Sequence, residues 1–457
     1  MVDNTRPGLC EPAEITSLRK ELDAEIDELK PHLIELNDWM YHNPEPGFME
    51  FEAADRLTEE LKRHDFDVQM GVPGLEEAWP EFDRLKYAGG LSQDYEGPPG
   101  LPTAFMARYQ GKTESPVIAI VVEYDALRGD PPFHGCQHNM QGPVGIGAGI
   151  ALARVMDRHD LPGSVWIIGA PAEEVGPPTK AALVRAGYMD GVDFAMRTHG
   201  TDRDNETALH PGGFSPRHLE QMKYTFHGKS AHAQVPWEGV SALDGVMLLF
   251  HAMEIMREHS EPQFRFHGVV SDGGVAPNII PEMASATIWI RHLIDETPVG
   301  SVSPMKAREM IEAKVAQMHD AARGAALATG TTVDIDRTGS YVPSVSVGAF
   351  HKLQFEYALE YGGVNPTEKK VPKALEETGF MSLKVPGLHV SMGIEGLTKM
   401  TGHSQESADF TISADGHRTL ESLTRVMGAV GLRLVTDPEV REEIEQEHAV
   451  WLDKYNK

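Results

Sequence analysis

A chain of 457 residues, 41% hydrophobic and 24% charged, has apolar mass for about two or three domains and is not compositionally disordered. Its formal net charge of −28 argues against nucleic acid as a general partner, because phosphate binding needs clustered Lys and Arg. With only two cysteines (Cys10 and Cys136), no basic-then-apolar leader and no apolar run near the ~18 residues of a membrane span, the expectation is a cytoplasmic protein without disulfides or membrane contact.

Residues 12–40 and 50–64 alternate charged and apolar turns and read as helices. Residues 75–101 carry Pro, Gly, Trp79, Tyr87 and Tyr95 without a period and read as a loop or insertion. Residues 116–123 form a continuous apolar run, expected as a buried strand, followed by a loop with Cys136 and His138. A Gly-rich helix is expected from about 143 to 158. A strand at 164–170 ends in Pro171-Ala172-Glu173-Glu174, and a helix near 179–188 leads to a strand at 192–198 before His199. Such alternation implies a mostly parallel sheet flanked by helices, with functional residues at the carboxyl ends of the strands.

A second unit follows. A strand at 221–227, a helix at 239–259, strands near 264–270 and 283–291, a helix at 303–327 and a strand near 332–337 give the order βαββαβ. This is a ferredoxin-like module, read as an insertion over 217–338 that splits an α/β domain into 1–216 and 339–457. The alternation resumes with a helix near 347–361, a strand at 387–392 and one long helix from 415.

Four signals carry chemistry. In His134-Gly135-Cys136-Gln137-His138-Asn139, a thiolate and an imidazole two residues apart can reach one metal centre; sulfur with nitrogen suits zinc, with manganese or cobalt as alternatives. In Glu173-Glu174, adjacent carboxylates point in different directions, so one can bind metal while the other faces water. His199 and His403 each lie beside a glycine at or near a strand end. Each signal alone has a bland reading, such as a buried Cys, a solvated acidic turn or an incidental histidine.

In this order, on this α/β pattern, the four together resemble the metal site of the amidohydrolase and metallopeptidase superfamily of aminoacylase, carboxypeptidase G and aminobenzoyl-glutamate hydrolase. The nearest resemblance is to the Cys-ligand branch with the auxin-conjugate hydrolases. It extends from Tyr41-His42-Asn43-Pro44-Glu45 through Gly100-Leu101-Pro102-Thr103, Glu123-Tyr124-Asp125-Ala126-Leu127 and Gly228-Lys229-Ser230-Ala231-His232 to Gly402-His403-Ser404. It implies a zinc-exopeptidase-like catalytic domain with an inserted lid and dimerisation domain, and hence a homodimer. It assigns Cys136, His138, Glu174, His199 and His403 to one or two divalent metal ions and Glu173 to proton transfer. It gives His232 to the oxyanion, and Asn278 and Arg291 to the carboxylate of a small substrate. The implied reaction is hydrolysis of the amide of an N-acyl or N-aroyl amino acid by metal-activated water.

Several residues depart from the family pattern. Gln137 stands where Gly is usual, Arg128-Gly129-Asp130-Pro131-Pro132 replaces a Pro-Gly, Arg197 lies two residues before His199, and 75–98 looks inserted, with Trp79, Phe82, Tyr87 and Tyr95 as wall or brace. These changes keep open a second reaction on the same site, hydrolytic deamination of a substituted aromatic amine of the nitroanthranilate type.

Overall fold

The computed structural model describes residues 11–78, 100–175, 178–199, 205–215, 217–293, 302–368, 379–397 and 400–457. Trp79, Phe82, Tyr87, Tyr95 and most of the expected insertion lie outside the described residues; the part of it that is described includes a short helix, Leu75–Ala78.

Helix α1 (Ala13–His42) buries Leu18, Leu22, Ile26, Leu29, Leu33, Leu36 and Met40, a 3–4 spacing that makes one apolar stripe. Helix α2 (Phe51–Arg63) buries Ala53, Ala54, Leu57 and Leu61 in the same way. Strands β1 (Asp67–Met70), β2 (Phe105–Gln110) and β3 (Val117–Val122) precede helix α3 (His138–Arg158). Strand β4 (Ser164–Gly169), helix α4 (Thr179–Arg185) and strand β5 (Phe194–Thr198) complete the first half of the main sheet. The next unit holds β6 (Arg217–His227), β7 (Ala231–His232), α5 (Ala242–Glu258), β8 (Phe264–Asp272), β9 (Ile279–Ile280), β10 (Met283–Leu293), α6 (Pro304–Thr329) and β11 (Thr332–Tyr341). The chain ends through α7 (Gly348–Glu360), β12 (Gly387–Val390), α8 (Gln405–Phe410), α9 (Ala414–Thr436) and α10 (Pro438–Asn456).

The main sheet has the order β1-β2-β4-β3-β5-β12. Only β2 runs against the rest: it is antiparallel to both β1 and β4, while β4, β3, β5 and β12 are mutually parallel. Every residue of β3 and β4 is buried, as a strand covered on both faces requires. Helix α3 covers one face at close range because Gly145 and Gly149 carry no Cβ; a methyl there would collide with Val122 and Ile167. The parallel direction brings the ends of β3, β4 and β5 to one edge, and the segments that follow them carry Asp125, Glu173, Glu174 and His199.

The second sheet has the order β8-β10-β6-β11, all antiparallel, under helices α5 and α6. This is the ferredoxin-like order, and its last strand runs to Tyr341, past the expected end at 338.

Two helices differ from the sequence reading. Helix α3 begins at His138 rather than near 143, because Gln137 adopts a left-handed φ of 63° and Pro143 is accommodated inside the helix rather than starting it. The expected single last helix is two: Pro438 offers no N–H to continue α9, and Asp437 caps α10 by accepting from the amides of Glu439 and Val440. Among the described residues, no helix is long and apolar enough to cross a membrane.

One buried histidine sets a pH limit on the second unit. His292 is 0% exposed, faces His218 across β10 and β6, and has no hydrogen-bond partner on either ring nitrogen. Burial, and then the charge of His218, push its imidazole from 6.5 down to about 4. As pH falls from 6.5, the unfolded chain takes the proton first, so the stability of the neutral ring is present above that pH and lost below it. The expected loss is about 1.4 kcal/mol per pH unit until about pH 4. Urea midpoints measured across this window are expected to fall, and His292→Leu is expected to flatten the slope; an unchanged slope in that variant refutes the assignment.

Candidate metal centre

The carboxyl edge of the main sheet gathers donors from five separate stretches of chain. Cys136 and His138 come from the loop that opens α3. The left-handed φ of Gln137 turns the chain so that His138 is the first helical residue, and the Gln137 amide nitrogen donates to Ser407 Oγ at 3.1 Å, tying this loop to α8. Gly135 admits the His403 segment, where a Cβ would press on Leu127, Phe133 and the His403 carbonyl carbon. The backbone N–H of His403 donates to the Gly135 carbonyl at 3.2 Å, and His403 itself has a left-handed φ of 60°.

The donor atoms fall into overlapping groups: Cys136, Glu174 and His403; His138, Glu173 and Glu174; and Glu123, His138 and His199, with ligand atoms in each group within 4.8 Å of one another. Cys136 Sγ stands 3.5 Å from His403 Nε2. Donors at ~2.3 and ~2.0 Å from a tetrahedral ion lie roughly 3.5 Å apart, so this spacing fits zinc-type coordination. His138 Nε2 and Glu174 Oε1 are buried and have no hydrogen-bond partner, although they are only 3.9 Å apart. Two unpartnered Lewis bases facing each other in a buried site are costly unless a cation lies between them. The donor set therefore fits a divalent metal.

His138 is fixed from behind. Its Nδ1 donates to Asp125 Oδ1 at 3.0 Å, while Asp125 Oδ2 accepts the Glu174 backbone N–H at 2.9 Å. One carboxylate thus sets the tautomer of one ligand and the backbone of another. Burial alone would depress His138, but the Asp125 hydrogen bond and the charges of Glu123, Asp125 and Glu174 hold it up at about 10, surroundings equally favourable to a dication. His199 is pushed the other way, down, by burial and by His138 and Arg197, which favours the neutral ring a ligand needs. Its ring lies 5.5 Å from that of His138 and 6.1 Å from that of His389.

The two adjacent carboxylates have different surroundings. The Glu174 side chain is 7% exposed and that of Glu173 is 26% exposed, so Glu173 is the more open of the two. Burial, and then the nearby negative charge of Glu123, push Glu173 up to about 8 against the opposing pull of Lys180 and His138. The turn that presents them is held by Glu50, which is 0% exposed; its Oε1 accepts the Ala172 N–H at 2.7 Å while Ala172 adopts φ 57°.

Asp125→Asn is expected to weaken divalent-metal affinity roughly 10–100-fold, because asparagine has one acceptor oxygen for the two donors, His138 Nδ1–H and the Glu174 N–H, and turns an NH2 towards the other. Metal titration of purified protein measures this, and wild-type affinity would exclude the orienting role.

The remaining sequence candidates lie elsewhere. His232 on β7 and Asn278 are exposed on the second unit, beside each other through the Ala233 N–H to Asn278 carbonyl bond. Arg291 on β10 is half-buried, 5.5 Å from the Trp289 ring, and close to Arg217. Among the described residues, no hydrogen bond or ion pair joins these three to the metal cluster. Sequence reasoning gave no role to Glu50, Glu123, Asp125 or Lys180. Glu123 and Asp125 were visible only as part of a segment shared with the resembled family, at and just past the end of an apolar strand, with no role attached; Glu50 and Lys180 gave no signal.

A family model described as peptidase dimerisation domain matches residues 217–322. The chain is 27% identical over 460 residues to the Xaa-Arg dipeptidase of Mus musculus, covering 96% of this chain and 94% of the relative. It is 30% identical over 346 residues to a p-aminobenzoyl-glutamate hydrolase polypeptide of Escherichia coli K12, covering 71% of this chain and 62% of the relative. A solved structure from Bacillus subtilis, a dinuclear metal-binding peptidase, superposes with a TM-score of 0.57 at 18% identity, over 90% of this chain and 99% of that one, which speaks for the fold.

Proposed function

The chain belongs to the metal-dependent amidohydrolase and metallopeptidase superfamily of aminoacylase, carboxypeptidase G and aminobenzoyl-glutamate hydrolase, and on that premise we propose that it cleaves the amide bond of a small N-acyl or N-aroyl amino acid, or of a dipeptide. It is a hydrolase acting on carbon–nitrogen bonds. The observation that carries the finer reading is the pair of buried, unpartnered donors, His138 Nε2 and Glu174 Oε1, with the more open Glu173 beside them.

Cys136, His138, Glu174, His199 and His403 would hold the metal, zinc or manganese with cobalt as a further candidate. The spread of donors over overlapping groups favours two ions. The metal would polarise the amide carbonyl and acidify water. Glu173 takes the proton of the attacking water and hands it to the departing amine, for which a carboxyl raised by burial well above its usual range is suited. Asp125 keeps His138 in one tautomer throughout. His232 stabilises the oxyanion from the second unit. Arg291 and Asn278 receive the substrate carboxylate. The like charge of Arg217, which after burial is what depresses Arg291, favours an anion between the two guanidiniums.

A homodimer through the second unit fits its surface. Val246, Leu249 and Met253 of α5 are buried on its own sheet, while Met247 and Ile255 on the same helix are 63% and 62% exposed. Val269 and Val270 are exposed on β8, the edge strand of that sheet.

The test is a panel of N-acyl and N-aroyl amino acids and dipeptides, each paired with its C-terminal amide. Carboxylate substrates are expected to release a free amino acid, and their amides to lose roughly 10–100-fold in kcat/KM as a charge-assisted contact is lost. No amino acid release from any member, with metal bound, refutes the proposal.

A further inference from the structure

Glu123 lies one residue beyond β3 and is 0% exposed. Four side chains surround its carboxylate. Oε1 takes Lys180 Nζ at 2.7 Å and Arg197 Nη1 at 3.2 Å, and Oε2 takes the Gln141 amide at 2.6 Å. The fourth neighbour is His138, whose Nε2 stands 3.4 Å from Oε2.

That last approach has no hydrogen bond in it. His138 spends its Nδ1 proton on Asp125, and its buried Nε2 has no hydrogen-bond partner. In the neutral ring, Nε2 therefore turns a lone pair towards a carboxylate oxygen. Two such donors repel unless a cation is shared between them. A separation of 3.4 Å is the edge of a tetrahedron whose ligands lie ~2.1 Å from the centre. His199 places its own donor within 4.8 Å of both.

We infer that Glu123 is a further metal ligand, forming with His138 and His199 the inner position of the centre, and that Lys180, Arg197 and Gln141 are positioning residues that aim its Oε2. The inference rests on the metal-hydrolase reading and adds a donor to the five that reading assigns. The three partners come from α4, β5 and α3, so the carboxylate is triangulated by three elements rather than resting against one. Oε2, which accepts from Gln141 at 2.6 Å and from Arg197 Nη1 at 3.4 Å, is held by these bonds at 3.4 Å from His138 Nε2. The two cations also have a use here: they offset part of the charge of a cluster that holds a thiolate and several carboxylates. Among the described residues the signature is the juxtaposition of an unpartnered imidazole nitrogen with an oriented, fully buried carboxylate.

The test compares the intact protein with Glu123→Asp and Glu123→Gln. Each is loaded with zinc, dialysed and measured for bound metal by plasma mass spectrometry, and each is titrated with cobalt(II) while its visible absorption is recorded. Glu123→Asp keeps the charge opposite Lys180 and Arg197 but withdraws the oxygen by one carbon–carbon bond. Both variants are expected to lose one bound ion, with affinity at that position falling by more than the roughly 10–100-fold that outer-shell partners contribute. The cobalt bands are expected to change in shape. Should Glu123→Gln fail to fold with two cations uncompensated, Glu123→Asp alone decides. Wild-type stoichiometry and an unaltered cobalt spectrum in Glu123→Asp overturn the inference and leave Glu123 as a counter-ion. Loss of metal in His138→Ala but not in the Glu123 variants leaves the hydrolase reading standing while removing this one; no binding by the intact chain removes both.

Discussion

Glu173→Gln is expected to lower kcat roughly 10²–10⁴-fold while bound metal stays at the wild-type level. Glutamine has the shape of the carboxylate but cannot take up a proton, so the substitution removes the transfer and little else. The expectation rests on the different settings of two neighbouring carboxylates. Glu174 is nearly closed off, and its backbone N–H is held by Asp125, whereas Glu173 keeps a quarter of its side-chain surface exposed. Burial and the charge of Glu123 push Glu173 up to about 8, and a cation in the cluster pulls it back towards neutrality. A base must be ionised to act, so kcat/KM is expected to fall as pH drops through the Glu173 pKa. That acid limb is expected to vanish in the variant. Steady-state kinetics with metal analysis on the same sample give the answer. A loss below tenfold, or a parallel loss of metal, would move Glu173 out of the proton-transfer role.

His138→Ala is expected to abolish both metal retention and turnover. Its Nε2 sits 3.4 Å from Glu123 and 3.9 Å from both Glu173 and Glu174, and His138 belongs to two of the three donor groups. Several kcal/mol of charge stabilisation at the carbonyl depend on the metal, and about 1.4 kcal/mol is tenfold in rate, so the loss is expected to reach ~10³-fold or more. Removing the ring also strands Asp125, a buried carboxylate left with the Glu174 N–H and without its imidazole. Added zinc is not expected to rescue the variant, because the remaining donors lose the member that links the groups. Dialysis, metal analysis and assay in excess zinc measure this; activity within tenfold of wild type would contradict the site as described.

Much of this was legible before the fold was known, for a physical reason. Strands buried on both faces must be continuous apolar runs, so Val117–Val122 and Ser164–Gly169 declared themselves, and the residues following such strands lie at one edge. Cys136, His138, Glu173, Glu174, His199 and His403 could be named because their order along an α/β pattern resembles a known metal site; each alone had a bland reading. Glu123, Asp125 and Lys180 could not be placed, because an ordinary charged residue becomes informative only through partners distant in sequence. The Glu123–Lys180 contact spans the Cys136 loop, helix α3, strand β4 and the turn that opens α4. Gln137 was visible as an oddity in a glycine's place; the left-handed turn that lets His138 open α3, and the bond to Ser407 that steadies it, were not. Helix ends failed where one residue decides, as at Asp437-Pro438, since the apolar period continues across the break. His232, Asn278 and Arg291 are the converse case: the resemblance named them, and within this chain no described contact brings them to the cluster.

The central claim is metal-assisted hydrolysis of an amide by Glu173, and the most direct measurement is product analysis by mass spectrometry in oxygen-18 water. Metal-loaded protein and Glu173→Gln would be given N-acyl amino acids, aminobenzoyl-glutamate, dipeptides and substituted anthranilates. A free amino acid is expected from an amide substrate, with one heavy oxygen in the released carboxylic acid, and both products are expected to form roughly 10²–10⁴-fold more slowly with the variant. Ammonia from an aryl amine, with every amide intact, would contradict the central claim.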